Sequence, residues 1–95
     1  MNLFLIIVFL TSLLVFGEAL AENPDVGACT GCHGLDGRSR QEDYPNLAGQ
    51  KQRYLEKALK DFRNGSRHHL MMNFVAKDMS DENIESFAAY YAGFQ

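Results

Sequence analysis

Three residues that can bind metals or form covalent bonds lie within one short segment, Cys29-Thr30-Gly31-Cys32-His33. On a helical turn, residues three and four positions apart share a face, so Cys29, Cys32 and His33 can point in the same direction. Two thiols on that face can add across the two vinyl groups of a haem, and the adjacent imidazole then lies beneath the iron as its proximal ligand. The spacing is the attachment signature of c-type haem, and it predicts one covalently bound haem c.

Other uses of the two cysteines fit the sequence less well. A disulfide between them would close too short a loop to restrain much of the unfolded chain. A redox Cys-x-x-Cys pair is typical of a thioredoxin-like sheet, and no segment here alternates like a strand. A zinc site could add His68 and His69, but adjacent histidines do not match the spacing of about three to five residues in common zinc fingers.

The sixth iron ligand must come from elsewhere in the chain. A single methionine is more often flexible core filler than a ligand. Two adjacent methionines in a polar segment have no apolar stripe to fill, which indicates that one of them is held at a specific site. A methionine sulfur would raise the reduction potential, whereas a second histidine would lower it. The residue types do not decide among the candidates, which are Met71, Met72, Met79, His68 and His69.

The chain begins with a segment typical of protein export. Residues Leu3–Phe16 carry no charge, and the pattern Ala19-Leu20-Ala21 suits signal peptidase, with the cut before Glu22. We therefore predict a cleaved signal peptide over residues 1–21 and one domain over residues 22–95.

The alternative to cleavage is a retained membrane anchor. A spanning helix needs about 20 apolar residues, and runs of about 10 to 14 belong more often to signal peptides. Signal peptides usually begin with a positive charge, however, and the first basic residue here is Arg38. Either way the domain is exported, so the predicted location is the periplasm, with no stable membrane insertion if the signal is cleaved.

The mature chain reads as helices joined by loops. An N-cap, a proline and an acidic residue at positions 23–25 predict a short first helix that runs into the attachment motif. Residues 34–46 are rich in Gly, Asp, Ser and Pro and predict a loop. An apolar stripe predicts a second helix from position 49 or 50 to about 63, which Gly65 can end.

The end of the chain carries one more helix. Residues 66–79 are expected to be irregular or to contain one short turn. Ser80 is the predicted N-cap of a helix that ends near Gly93, with two acidic residues in its first turn. Its predicted buried face consists of Ile84, Phe87, Ala88 and Tyr91. No segment of the mature chain alternates like a strand, so the predicted fold is all-α.

Length and composition allow one small domain. The chain has 95 residues, 46% of them hydrophobic and 22% charged, and a formal net charge of −3. No basic block tracks phosphates and no aromatic residues alternate with Arg or Lys, so nucleic acid is not an expected partner. A domain this small usually needs a covalent or coordinated group to stabilise its core.

The sequence resembles the class I c-type cytochromes, and most closely the small bacterial monohaem carriers and the modules of periplasmic dihaem cytochromes. The resemblance implies a cytochrome c fold of about three main helices around one covalent haem, in an exported electron-transfer protein. It departs from the family in its short first helix, because cleavage leaves only 22–28 before the first cysteine. The matching segments are CTGCHGLDGRS, YPNLAGQKQRYLEKALKDFRNGSR and MMNFVAKDMSDENIESFAAYYAGF.

The resemblance also implies roles for individual residues. Cys29 and Cys32 would form the thioether bonds, and His33 would be the proximal ligand. The family's distal methionine lies seven residues before the apolar residue that precedes the last helix, which is Met79 here. The distal ligand would therefore be Met72.

Further roles follow from the same resemblance. The carbonyl of Pro45 would accept the other ring N–H of the proximal histidine. Asn73 would lie next to the haem edge. The remaining candidates would be packing residues, Met71 and Met79, or solvated residues, His68 and His69.

The expected function is that of a single-electron carrier that catalyses no bond chemistry. Its partners would be redox proteins such as a membrane cytochrome complex, an oxidase or a reductase. One alternative is a peroxidase-like or gas-binding haem protein with an open distal position, and another is a cytochrome subunit of a larger membrane oxidoreductase. Candidates for the apolar lining of the haem are Tyr54, Phe62, Phe74, Phe87 and Tyr91.

Overall fold

A computed structural model describes residues 26–95. In this part of the chain there are four α-helices and no strands, which confirms the all-α prediction. The predicted signal peptide and the predicted start of the first helix lie outside the described residues. The helices are α1 (Gly27–His33), α2 (Gln52–Asn64), α3 (Leu70–Ala76) and α4 (Asp81–Ala92).

The second helix, α2, begins slightly later than predicted and ends where predicted. Gly49 has a φ of 70°, which a right-handed helix cannot include, and Lys51 is the extended N-cap. Gly65 adopts a left-handed conformation with a φ of 85° and terminates the helix. Leu55 is buried in the core cluster that α2 forms with Phe87 and Tyr91 of α4.

The prediction of an irregular segment over residues 66–79 is wrong, because it contains the two-turn helix α3. His69 is its N-cap, and the His69 Nδ1 atom accepts the backbone N–H of Met72 at 3.3 Å. Two of its large apolar residues, Leu70 and Phe74, are exposed at 87% and 66%. Because these exposed apolar residues lie among the buried ones, the apolar residues of α3 do not form the single stripe by which sequence patterns reveal helices.

The last helix, α4, confirms its prediction. The Ser80 hydroxyl accepts the backbone N–H of Asn83 at 3.0 Å, as an N-cap does. The residues predicted to be buried on α4 are all buried: Ile84, Phe87, Ala88 and Tyr91. Arg63 of α2 donates to the carbonyl of Met79 and pairs with Asp81, so the end of α2 is joined to the start of α4.

The core lies where α1, α2 and α4 meet. Tyr90 and Tyr91 join α4 to the turn after α1, because their hydroxyls donate to the carbonyls of Leu35 at 2.7 Å and Gly34 at 3.2 Å. Burial raises the pKa of Tyr91, so its phenol stays neutral and can donate. The buried core residues are Val26, Cys29, Leu55, Phe87, Ala88 and Tyr91.

Among residues 26–95, no helix is long and apolar enough to cross a membrane.

Candidate haem site

Helix α1 places the three residues of the attachment motif together. Cys29 and His33 are buried and Cys32 is half-buried, and all three line one cavity. The two thiols are not joined by a disulfide in the part of the chain that the structure describes. The shared face predicted from the helical spacing is therefore present.

The ring of His33 is oriented by the loop that follows α1. Its Nδ1 atom lies 2.9 Å from the carbonyl oxygen of Pro45, as the resemblance implied. A carbonyl can only accept a hydrogen bond, so Nδ1 carries the proton. The lone pair then resides on Nε2, which is the form of the imidazole that binds a metal.

The loop itself is held by close backbone contacts. The carbonyl of Gly37 accepts from the backbone N–H groups of Leu47 at 2.7 Å and Ala48 at 3.0 Å. Gly37 has a φ of 76° and is buried. A Cβ atom at this position would lie only 2.8 Å from Cδ1 of Tyr91, so glycine is required.

A cavity of about 290 Å³ lies between α1, the loop that carries Pro45, and the other three helices. This volume is close to the lower end of the range for small-molecule sites, about 300 to 1,000 Å³. Four of the five aromatic residues predicted to line a haem do line the cavity. Phe74 does not, because it is 66% exposed and its ring lies 5.0 Å from the Lys77 Nζ atom. The apolar lining includes Leu55, Leu59, Phe62, Val75, Phe87 and Tyr91.

Helix α3 brings two of the candidate distal ligands to the cavity. Met72 is half-buried, whereas Met71, which also lines the cavity, is 55% exposed. Met71 is therefore the more exposed of the two methionines at the cavity. Met79 packs against the core cluster, as expected. His68 and His69 are both exposed, although His69 reaches the cavity rim.

Asn73, which the resemblance placed next to the haem edge, is not among the residues that line the cavity. Its side chain points instead to the backbone of neighbouring segments. Nδ2 lies within hydrogen-bonding distance of the carbonyls of Phe62 and Arg67, and Oδ1 accepts from the backbone N–H of His69.

Arg67 is a residue of the site that sequence reasoning missed. Its guanidinium carbon lies 4.7 Å from the centroid of the Phe62 ring, and the side chain lines the cavity. The contact places a positive charge beside a mainly apolar cavity, which Asp43 also lines. No local pattern marks this residue, because its role depends on the path of the chain between α2 and α3.

The residues around the cavity fit a covalently attached haem. Two thiols and an imidazole on one helical face supply the attachment points and a nitrogen ligand. The imidazole is already in the tautomer that binds iron, and a half-buried thioether lies on a different wall of the same cavity.

Comparison with known proteins agrees with this chemistry. The family model described as Cytochrome c matches residues 16–92. The chain belongs to the cytochrome c family. This cytochrome is 42% identical over 79 residues to cytochrome c-554(548) of Halomonas halodenitrificans, in an alignment that covers 80% of this chain and 95% of that protein. It is 40% identical over 76 residues to cytochrome c4 of Pseudomonas aeruginosa, covering 80% of this chain and 38% of that protein.

The cytochrome also shares its fold with a solved relative. The structure of reduced recombinant cytochrome c4 from Pseudomonas stutzeri matches with a TM-score of 0.66 and 38% identity, over 70% of this chain and 38% of that chain. The cytochrome thus spans nearly all of the Halomonas protein but well under half of these cytochrome c4 relatives. The comparisons confirm the predicted cytochrome c fold and an electron-carrying, haem c-binding protein rather than an enzyme.

Proposed function

We propose that this cytochrome is an exported carrier of single electrons that holds one haem c, attached through Cys29 and Cys32 and ligated by His33 and Met72. The proposal rests chiefly on the 2.9 Å contact between His33 Nδ1 and the Pro45 carbonyl, at a cavity that both thiols and Met72 also line. An imidazole oriented in this way is suited to bind iron through Nε2.

Cys29 and Cys32 would fix the haem to α1. In each case the S–H group adds across a vinyl double bond, so that sulfur bonds to one carbon and the hydrogen goes to the other. Two bonds to one short helix would hold the haem plane against the side chain of His33. The attachment would also supply the covalent group that a domain of this size needs to stabilise its core.

His33 and Met72 would set the electronic properties of the site. When bound, the haem supplies a one-electron couple between ferrous and ferric iron. A soft thioether favours the ferrous form, so Met72 would give a higher potential than a second histidine. With haem bound, the apolar side chains of α2 and α4 would keep water from the iron, which would limit the reorganisation that accompanies a change of charge.

The domain would work in the periplasm after removal of residues 1–21. The uncharged segment Leu3–Phe16 and the pattern Ala19-Leu20-Ala21 support this proposal. Electrospray mass measurement of the purified protein tests it, since a mature chain beginning at Glu22 has one defined mass. A protein recovered only from membranes with residues 1–21 attached would instead support an anchored subunit of a larger oxidoreductase.

The partners would be other redox proteins, such as a membrane cytochrome complex, an oxidase or a reductase. An electron carrier must release its partner after each transfer. Interfaces of this kind are small, below about 1,200 Å² in total.

The experiment that tests haem content and ligation together is an absorbance spectrum of the purified protein, oxidised and reduced. We expect one haem per chain by pyridine haemochrome assay, retained after extraction with acidified solvent, and a sulfur-to-iron charge-transfer band in the oxidised protein. Extraction of the haem would contradict covalent attachment. Rapid binding of carbon monoxide by the native reduced protein would favour an open distal position over Met72 ligation.

A further inference from the structure

We propose that Asn73 is a positioning residue for Met72, because its side-chain amide holds the segment that carries the distal ligand against the end of α2. The inference rests on the proposed ligation by Met72. It adds to that proposal the group that fixes where the ligand lies.

The amide of Asn73 has a compatible partner for each of its atoms. Nδ2 donates to the carbonyl oxygens of Phe62 at 2.9 Å and Arg67 at 2.8 Å, and Oδ1 accepts the backbone N–H of His69 at 2.8 Å. Exchanging the nitrogen and oxygen of the amide would set an acceptor against two carbonyls and a donor against an N–H. The orientation of the amide is therefore determined by its surroundings.

The two acceptors belong to a part of the chain that needs outside donors. Phe62 lies in the last turn of α2, where the final four carbonyls have no partner within their own helix. Arg67 lies in the connection between α2 and α3. Leaving such carbonyls without a donor is unfavourable when they are withdrawn from water, and the contact with Phe62 is partly buried. Asn73 supplies a donor to both.

The same side chain reaches Met72 through His69. The backbone N–H of Asn73 donates to the His69 carbonyl at 2.8 Å, while Asn73 Oδ1 accepts the His69 N–H. Nδ1 of His69 in turn accepts the backbone N–H of Met72. These reciprocal bonds resemble a capping box and enclose the first turn of α3. Met72 is thus fixed by the cap before it and by Asn73 after it.

Loss of the Asn73 donors should weaken ligation by Met72 without removing the ligand. An added ligand such as imidazole binds only when Met72 has left the iron, so its apparent affinity follows the population of that open arrangement. Two lost hydrogen bonds should raise this population, and hence the affinity for imidazole, by about tenfold or more. A residue with a purely structural role would lower stability and leave this affinity unchanged.

The test compares matched aspartate substitutions in the oxidised holoprotein. Asn73→Asp keeps the acceptor for the His69 N–H and removes both donors. Asn64 provides the control, because its Oδ1 accepts the backbone N–H of Ser66 at 2.9 Å and Asn64→Asp keeps that bond. We expect Asn73→Asp to weaken the sulfur-to-iron charge-transfer band and to bind imidazole about tenfold more tightly than the wild type does. Asn64→Asp should have the charge-transfer band and the imidazole affinity of the wild type.

Met72→Ala in the same assays separates the two proposals. If Met72→Ala loses the charge-transfer band but Asn73→Asp has wild-type imidazole affinity, the positioning role is overturned and the ligand assignment stands. If Met72→Ala keeps the band, both fail. Should Asn73→Asp not accumulate as holoprotein, hydrogen exchange in the native protein decides. Side-chain amide protons of Asn73 that exchange more slowly than those of the exposed Asn83 support the role, and equal rates overturn it.

Discussion

The Nδ1 atom of His33 lies 2.9 Å from the carbonyl oxygen of Pro45, so the last residue of α1 is tied to a backbone atom twelve positions later. This contact makes the direction of the imidazole depend on the shape of the loop. The loop is in turn fixed at Gly37, whose carbonyl accepts two backbone N–H groups just beyond Pro45.

Replacement of Gly37 by alanine should therefore destabilise the protein and disturb the proximal side. The new Cβ atom would lie 2.6 Å from the Ala48 nitrogen and 2.8 Å from Cδ1 of Tyr91, at a φ of 76°. We expect the free energy of unfolding to fall by roughly 2 to 4 kcal/mol, since backbone strain and overpacking add. Urea unfolding of the holoprotein measures this loss.

Gly65→Ala separates the two contributions to that loss. Gly65 has a similar φ of 85°, but no atom lies within 4 Å of the position that its new Cβ atom would take, so only the backbone strain remains. We expect a loss of about 1 kcal/mol. Equal losses for the two variants would show that crowding of the new Cβ atom at position 37 against Ala48 and Tyr91 does not contribute to the loss of stability.

Substitution of the two adjacent methionines should have opposite outcomes. Met72 is half-buried at the cavity, whereas Met71 is 55% exposed. Met72→Ala should remove the sulfur-to-iron charge-transfer band and lower the reduction potential by about 0.1 V or more, within the range of about 0.8 V that axial ligands set. Met71→Ala should change neither. Spectra and potentiometric titration of both variants check this prediction, and loss of the band in Met71→Ala alone would reverse the assignment.

Sequence patterns predicted the features of this protein that are encoded locally. The spacing of Cys29, Cys32 and His33 defines one helical face within five residues. Helix α4 has an N-cap, an acidic first turn and an apolar stripe, all of which act within the helix itself. Choosing Met72 over Met71 required the resemblance to a family, because both residues occupy the same kind of local sequence.

Features that depend on contacts between distant segments could not be predicted in this way. Helix α3 is short and two of its large apolar residues, Leu70 and Phe74, are exposed, so its placement relies on Asn73 and on the end of α2 as well as on its partly buried side. The positions of Arg67 at the cavity and of Phe74 away from it follow from that placement. The late start of α2 is caused locally by the left-handed φ of Gly49. The sequence did not predict it, because a glycine can adopt several backbone conformations.

The ion pair between Arg63 and Asp81 should make stability depend on pH. Arg63 Nη2 lies 2.8 Å from Asp81 Oδ1, and the hydrogen bond from Arg63 lowers the pKa of the Asp81 carboxyl from its usual value. A carboxyl group with a lowered pKa stabilises the folded state above its unfolded pKa and loses this contribution as the pH falls through its folded pKa. Asp81→Asn should therefore be slightly less stable than the wild type at pH 7, and the difference should shrink below about pH 4.

Glu82→Gln is the control for this pH dependence. Glu82 shares the first turn of α4 and its favourable position near the helix N-terminus. If the helix terminus alone were responsible, both variants would lose similar stability. A larger loss in Asp81→Asn, reduced by added salt, would identify Arg63 as the cause. Thermal unfolding of the three proteins across this pH range provides the comparison.

Removal of the haem should leave the mature chain largely unfolded. After cleavage before Glu22 the chain would have 95 − 21 = 74 residues, and domains of that size have unfolding free energies of roughly 4 to 11 kcal/mol. Without the haem, the apolar side chains that line the cavity of about 290 Å³ would lack their packing partner and face water, which would remove much of that stability. Cys29→Ala/Cys32→Ala, which cannot attach haem, should show little helical circular dichroism, whereas the holoprotein should show the signal of four helices. A stably helical, cooperatively unfolding apoprotein would contradict the prediction, because residues 26–95 would then form their core without the haem.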